Sequence, residues 1–129
     1  MPEHKRWNHF TEEEVKNLDT EFIAKLDMAR HRANVPFVIT SGFRTPEHNF
    51  SVGGVEGSSH TKGLAVDILC NSDNQLWHIL DGLFSVGIKR IGIYYVVINN
   101  LMSPRHIHID YDMSKPQSVV FFKMENNFI

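Results

Sequence analysis

Apolar positions in the first quarter of the chain recur with the period of a helix. A helix is predicted over residues 11–33, where Thr11 and Glu14 form a capping box at its start. Phe10 and Val15 have the spacing of a hydrophobic staple around that cap. The stripe that this helix would bury is spaced three or four residues apart and consists of Val15, Leu18, Phe22, Leu26 and Ala29.

Later segments predict a second helix and a set of short strands. The helix spans residues 72–87, because a second capping pair begins it and Gly87 stands where a helix stops. Since helices and strands do not alternate strictly, the predicted fold class is α+β, a small domain with a mainly antiparallel sheet and two main helices. The four or five strands are read at PFVIT, LAVDIL, KRIGIYYVV and RHIHIDY, with SVVFF as a last edge strand.

Composition narrows the class of protein. The chain has 129 residues, 42% hydrophobic and 22% charged, which suits one domain over residues 1–129. A net charge of −2 without basic runs argues against nucleic acid as a partner, and no apolar stretch is long enough for membrane insertion. Cys70 is the one cysteine, so a disulfide framework is excluded. We expect a monomer, made in the cytoplasm without a signal peptide.

The segment SSHTKGLAVDI places small residues between a histidine and an aspartate. Residues 41–63 are rich in Gly, Ser, Asn, Pro and His and are interpreted as a long functional loop. Ala65 and Asp67 share one strand face, so a small side chain at Ala65 clears space around the carboxylate. Gly63 allows a close backbone approach that brings His60 back towards Asp67. This space suits a metal ion, and zinc takes imidazole and carboxylate ligands.

The segment RHIHIDYD supplies further candidate ligands. His106, His108 and Asp110 lie on one strand face, and Ile107 and Ile109 lie on the other. A pair of histidines at i and i+2 directs two imidazoles towards one region. The residues alone therefore predict a metal site that combines this strand with the earlier histidine and aspartate.

The segment SSHTKGLAVD fills every fixed position of the pattern S-x-H-x-x-G-x-A-x-D. It resembles the signature of the zinc D-alanyl-D-alanine carboxypeptidases, a family of peptidoglycan metallopeptidases. That family includes bacterial dipeptidases, phage endolysins that cut L-alanyl-D-glutamate bonds and, more distantly, the hedgehog domain. The resemblance covers roughly residues 8–112, and the supporting segments are SGFRTPEHN, VGG, RIGIYY and HIHID.

The resemblance implies roles for individual residues. By position in the motifs, His60, Asp67 and His108 would hold one zinc ion per chain. Arg44, from the SGFR segment, would bind a substrate carboxylate or the developing oxyanion and so act in catalysis. Ser58 would bind the substrate backbone or else cap a turn.

One position departs from the family. Many members carry a carboxylate three residues before the last zinc histidine, and this chain has Arg105 there. His106 is therefore the predicted proton-transfer residue, because it resembles the first histidine of the H-x-H pair in other members. Asp110 is the candidate for orienting a ligand histidine. Glu56, in the loop, is a more distant candidate base.

The function that the resemblance implies is a zinc metallopeptidase acting on peptidoglycan stem peptides. The bond would be a terminal D-Ala–D-Ala, as for a carboxypeptidase, or an L-Ala–D-Glu bond or a cross-link, as for an endolysin-like endopeptidase. Its partner would be peptidoglycan or its fragments, reached at the cell wall through release by a phage lysis partner, or in the cytoplasm as precursors. The alternative is an inactive zinc-containing binding module of the same fold.

Overall fold

The computed structural model describes residues 6–125 and combines helices with a single five-stranded sheet. This architecture confirms the predicted α+β class. In chain order the elements are α1 (Thr20–Ala33), β1 (Ile39–Ser41), α2 (Pro46–Ser51), a 3-10 helix (Ser59–Lys62), β2 (Ala65–Leu69), α3 (Asp73–Ser85), β3 (Arg90–Ile98), β4 (Leu101–Asp110) and β5 (Val119–Met124).

The strands are arranged in the order β1-β2-β4-β3-β5. Every neighbouring pair is antiparallel except β3 and β5, which run parallel. The predicted edge strand is therefore real. The central position of β4 matters for function, because its residues lie between those of β2 and β3.

The two faces of the sheet differ in kind. One face packs with α1 and α3 into the apolar core, which includes Phe22, Leu26 and Leu83. The isoleucines of β4, Ile107 and Ile109, lie on this face and are fully buried. The opposite face carries the polar residues that alternate with them on β2 and β4. Alternation thus assigns the core and the candidate chemistry to opposite sides of the same strands.

The first helix begins nine residues later than the sequence predicts. Thr11 and Glu14 do form the capping box, with the Thr11 N–H donating to Glu14 Oε1 at 2.8 Å, but the turns that follow end at Asn17. Asn17 adopts a left-handed backbone with φ of 63°. Helix α1 starts after a second cap, in which Asp19 accepts from the Phe22 N–H at 3.0 Å. The predicted stripe is nevertheless buried throughout.

The break before α1 has a tertiary cause. The Asp19 N–H donates to the Gly63 carbonyl at 2.9 Å, which joins the start of α1 to the turn that precedes β2. Gly63 has φ of +71°, and a Cβ there would lie 2.6 Å from the Asn17 carbonyl oxygen. A continuous helix over residues 11–33 would lose this contact. The sequence therefore predicted the close approach at Gly63 but not its effect on the helix.

The predicted functional loop, residues 41–63, contains two short helical segments. Thr45 caps α2 by accepting from the His48 N–H at 3.1 Å, and Pro46 occupies the first turn, where its missing N–H costs nothing. The 3-10 helix follows a turn-rich stretch. Among residues 6–125, no helix combines the length and the apolar character that crossing a membrane requires.

Candidate metal centre

Three side chains from three elements meet on the polar face of the sheet. His60 lies on the 3-10 helix, Asp67 on β2 and His108 on β4. Their potential ligand atoms all lie within 4.8 Å of one another. Asp67 and His108 are direct partners in the β2–β4 ladder, so the strand register itself brings two of the three together.

His60 is oriented by the backbone of the preceding loop. Its Nδ1 lies 2.9 Å from the Gly42 carbonyl oxygen, and its side chain is almost fully buried. A carbonyl can only accept, so Nδ1 carries the proton and Nε2 keeps a free lone pair. Nε2 lies 3.4 Å from Asp67 Oδ2. This is the arrangement that metal-binding histidines adopt.

His108 is held between two carboxylates. Its Nδ1 lies 3.0 Å from Asp67 Oδ1, and its Nε2 lies 2.9 Å from Asp110 Oδ2. Asp110 is 1% exposed and also accepts from the Asp112 N–H at 2.8 Å. Asp110 therefore contacts the His108 nitrogen that faces away from Asp67, and the Asp112 N–H holds the Asp110 carboxylate in place. This suits a residue that orients a metal ligand.

Small residues leave room around Asp67, as the sequence predicts. Ala65 is fully buried on the same side of β2. On β3, Gly92 is the ladder partner of His108, and the Phe121 ring of β5 covers it so closely that a Cβ at Gly92 would lie 2.4 Å away. The ring centroids of Phe121 and His108 are 6.1 Å apart. The aromatic ring thus forms one side of the site.

The carboxylates of the site are held in their charged form. Burial raises the pKa of Asp67, but hydrogen bonds and charges from His108 and His60 outweigh burial and place that pKa well below its usual range. Asp110 follows the same pattern. Burial raises its pKa, but the hydrogen bonds from His108 and the Asp112 N–H outweigh burial, so the pKa is lowered from its usual value. Ionised carboxylates are the form that binds a metal ion.

The donor set fits zinc. A tetrahedral ion with bonds of ~2.1 Å would separate its ligand atoms by ~3.4 Å. Asp67 Oδ2 lies 3.4 Å from His60 Nε2, and Oδ1, the other oxygen of the carboxylate, lies 3.0 Å from His108 Nδ1. Two imidazoles and one carboxylate are also a ligand set of catalytic zinc sites, which keep one position open.

Arg44 extends over the cluster from the loop. Its Nη2 lies 3.8 Å from Asp67 Oδ2. Nε and Nη2 donate to Ser41 Oγ at 3.1 and 2.9 Å, and Nη1 donates to Asn49 Oδ1 at 3.1 Å. These bonds use three of the five guanidinium N–H groups and leave two. The guanidinium is therefore fixed in place while donors remain for another group.

His106 lies on the same face as His108 but outside the cluster. Its ring stacks on Tyr94 of β3, with centroids 4.4 Å apart, and its Nδ1 lies 2.7 Å from Glu125 Oε1. Burial, with the charges of Asp67 and Glu125, raises the pKa of Tyr94, so this phenol stays protonated near neutral pH.

Arg105 occupies a β-bulge. Tyr94 pairs with His106, but Tyr95 pairs with Pro104, so Arg105 has no partner on β3. The residue is exposed. The position at which the motif resemblance implies a carboxylate is therefore an irregular, solvent-facing point of β4 in this chain.

The two loop candidates lie apart from the cluster. Ser58 caps the 3-10 helix, and its Oγ accepts from the His60 N–H at 3.2 Å, so the capping interpretation describes what its hydroxyl does. Its substrate-binding role stays a prediction. Glu56 is exposed and lines a groove with Pro46, Phe50 and Thr61, outside the three-residue cluster.

Sequence reasoning gave no role to several residues that shape the site. Asn49 lies within the SGFRTPEHN segment, and the polar residue five positions after the arginine was a usable signal. Tyr94 lies within RIGIYY, on the same strand face as Gly92. Phe121 lies on β5 and Glu125 directly follows it. Because β5 pairs with β3 across a long sequence separation, no local pattern marks either residue.

The comparisons with known proteins agree with this geometry. Residues 4–110 match the family described as peptidase M15. The chain belongs to the peptidase M15 family. This confirms the resemblance to the zinc D-alanyl-D-alanine carboxypeptidases that the motifs indicate. No curated protein is similar enough in sequence to match the chain.

The peptidase M15 assignment extends to the fold. The structure is similar to the crystal structure of the L-Ala D-Glu endopeptidase ChiX from Serratia marcescens, with a TM-score of 0.50 at 17% identity. The similarity covers 78% of this chain and 86% of that chain. At this identity the likeness concerns the fold, and it confirms the α+β architecture of a peptidase M15 domain.

Proposed function

We propose that the chain acts as one zinc peptidase domain that hydrolyses an amide bond in peptidoglycan stem peptides. The observation that carries the proposal is the cluster of His60, Asp67 and His108, with the guanidinium of Arg44 3.8 Å from Asp67. The family membership supports peptide hydrolysis, and the ligand set supports zinc.

The first bond to test is L-Ala–D-Glu. One solved structure that is similar in fold is that of an L-Ala D-Glu endopeptidase. D-Ala–D-Ala at the stem terminus and the cross-link are the other candidates, as the sequence motifs suggest.

The chain's own residues have separable tasks in this reaction. A zinc ion held by the cluster would supply activation of water and polarisation of the scissile carbonyl. The two free N–H groups of Arg44 would bind a substrate carboxylate or the oxygen that gains charge. His106 would accept a proton at Nε2 as water adds to the carbonyl and return it to the leaving nitrogen.

Asp110 would keep His108 in place by accepting at the imidazole nitrogen that faces away from Asp67. Ser58 would act mainly by shaping the backbone around His60. In this proposal Asp110 does not touch the substrate, and binding of the substrate backbone by Ser58 stays a prediction.

A second candidate function is an inactive zinc-containing binding module. Arg105 favours it, because a cation stands where relatives carry a carboxylate that can accept a proton. The two candidates share the metal site and differ in turnover, so one experiment separates them.

The deciding experiment is digestion of purified muropeptides, read by mass spectrometry. The zinc-loaded protein should release fragments whose masses identify the cleaved bond. A chelator should abolish the products, and added zinc should restore them. Binding of the same muropeptides by a zinc-loaded protein that releases nothing would favour the binding module.

A histidine outside the site provides the matched control. His78 lies on α3 and takes no part in the cluster. His78→Ala should therefore digest muropeptides as the unchanged protein does, while His108→Ala should not. Equal activity of the two variants would contradict the assigned site.

A further inference from the structure

The end of β5 brings a carboxylate to the polar face of the sheet. β5 runs parallel to β3, with Tyr94 paired to Lys123 and Tyr95 to Met124. The Glu125 N–H donates to the Tyr95 carbonyl at 2.8 Å, so the pairing continues through Glu125. Since alternate residues share a face, Glu125 lies on the side of Phe121, which forms one side of the site.

Glu125 contacts His106, a histidine of β4 that is not in the candidate metal cluster. Its Oε1 lies 2.7 Å from His106 Nδ1 and is buried, and it has no hydrogen-bond partner among the described residues, so the contact is a close electrostatic one without hydrogen-bond geometry. The side chains are 33% exposed at Glu125 and 26% at His106. The contact is thus partly shielded from water, where an electrostatic interaction is stronger than on the open surface.

Two contacts together fix the His106 imidazole. The Tyr94 ring stacks on its face at a centroid distance of 4.4 Å and an interplanar angle of 17°. The Glu125 carboxylate lies at its Nδ1. A lone pair on Nδ1 would face a carboxylate oxygen 2.7 Å away, so a neutral imidazole is favoured with its proton on Nδ1 and its lone pair on Nε2.

We propose that Glu125 is a positioning residue that fixes the tautomer and orientation of His106 for peptide hydrolysis. The inference rests on the function proposed above. A proton-transfer group that is itself oriented by a third group is a recurring device of hydrolytic sites. Glu125 thereby supplies from β5 the carboxylate that Arg105 does not supply from β4.

The competing interpretation is a structural ion pair that only fastens the end of β5. It predicts a loss of stability on removal of the carboxylate, with no change in the chemistry of the folded protein. The positioning role predicts instead that the chemistry of the folded protein changes when the carboxylate is removed. The two are separated by measuring kcat, KM, zinc content and the His106 tautomer on the same zinc-loaded protein.

The kinetic test compares Glu125→Ala with Glu125→Gln. Glu125→Ala should lower kcat by about 10- to 100-fold, which is the usual effect of losing an orienting partner, with KM and zinc content unchanged. Glu125→Gln should recover most of that loss, because an amide oxygen in the same place still favours a proton on Nδ1. The control is Met124→Ala, an exposed neighbour on the opposite side of β5, which should behave as the unchanged protein.

A second measurement does not depend on turnover. Nitrogen-detected NMR of the zinc-loaded, unchanged protein at pH 8 should show His106 with its proton on Nδ1, and Glu125→Ala should populate the other tautomer. A Nε2–H tautomer in the unchanged protein would overturn the proposal even if no muropeptide is cleaved or the alanine variant does not fold. So would an unchanged kcat for Glu125→Ala, a change in KM alone, or a loss of zinc.

Discussion

The two faces of β4 are formed by residues that alternate along the strand, and they have different tasks. Ile107 and Ile109 are fully buried and contribute volume to the core. His106, His108 and Asp110 alternate with them and act through single nitrogen and oxygen atoms. Changes on the first face should therefore reduce stability, and changes on the second should reduce chemistry.

The bulge at Arg105 determines which residues of β4 lie on which face of the sheet. Pro104 and Ile107 are both buried although they are three positions apart, a spacing that strict alternation places on opposite faces. The extra residue in β4 resolves this conflict and keeps His106 on the polar face, opposite Tyr94. The residue that departs from the family pattern thus has a structural task in this chain.

The largest effect is expected at His60. His60→Ala removes one of three ligands, so the variant should lose zinc and at least about 10³-fold in turnover, because metal activation contributes several kcal/mol and each 1.4 kcal/mol is tenfold. Metal analysis and muropeptide digestion check this. Since the ion binds the folded state, its removal by a chelator should also lower the Tm of the unchanged protein. Retention of a full equivalent of zinc by His60→Ala would remove His60 from the ligand set.

The next largest effect is expected at His106. His106→Ala should keep one zinc per chain and lose about 10²–10⁴-fold in kcat, the usual contribution of general acid–base help. The comparison with His60→Ala separates the two roles, because both residues are histidines of the site but only His60→Ala should lose zinc. Release of zinc from His106→Ala would make His106 a ligand, and full activity with intact zinc would move the proton transfer to Asp110 or Glu56.

The apolar face should respond in the opposite way. Ile107→Ala should lower the free energy of unfolding by about 2–5 kcal/mol, since it leaves a cavity in a fully buried position. The folded fraction should still bind zinc and turn over substrate within a few-fold of normal. Urea denaturation measures the first effect and zinc titration the second. A loss of zinc affinity at full folding would show that the faces are coupled.

The sequence predicted most of the fold and the three residues that form the candidate metal cluster. Period-two alternation placed Ile107 and His108 on opposite faces, and the residues between His60 and Asp67 indicated a tight return of the loop. Both follow from local rules, so one sequence is enough. The start of α1 could not be predicted in this way, because Asn17 and Asp19 respond to Gly63, which lies over forty residues later.

The remainder of the site depends on pairings between distant strands. Glu125 reaches His106 because β5 pairs parallel with β3, and nothing near Glu125 in the sequence indicates that partner. The role of Asn49 had a signal in its motif, but its bond to Arg44 depends on how α2 folds back. Local patterns thus predicted the candidate ligands and proton-transfer residue. The residues that contact and orient them depend on pairing between distant segments.

The smallest of these effects is expected at Arg44, on the loop side of the polar face. Arg44→Lys keeps the charge but replaces a planar group with a single ammonium, which cannot keep the bonds to Ser41 and Asn49 and still present paired donors. A hydrogen bond to a charged group is worth about 1.5–3 kcal/mol, so kcat/KM should fall by roughly 10- to 100-fold. Zinc content should not change, because Arg44 is not a ligand. Arg32, which pairs with Asp81 on the helical side, gives the matched control, and Arg32→Lys should leave kcat/KM unchanged. Normal turnover by both Arg44→Lys and Arg44→Ala would reduce Arg44 to a residue that only fastens the loop.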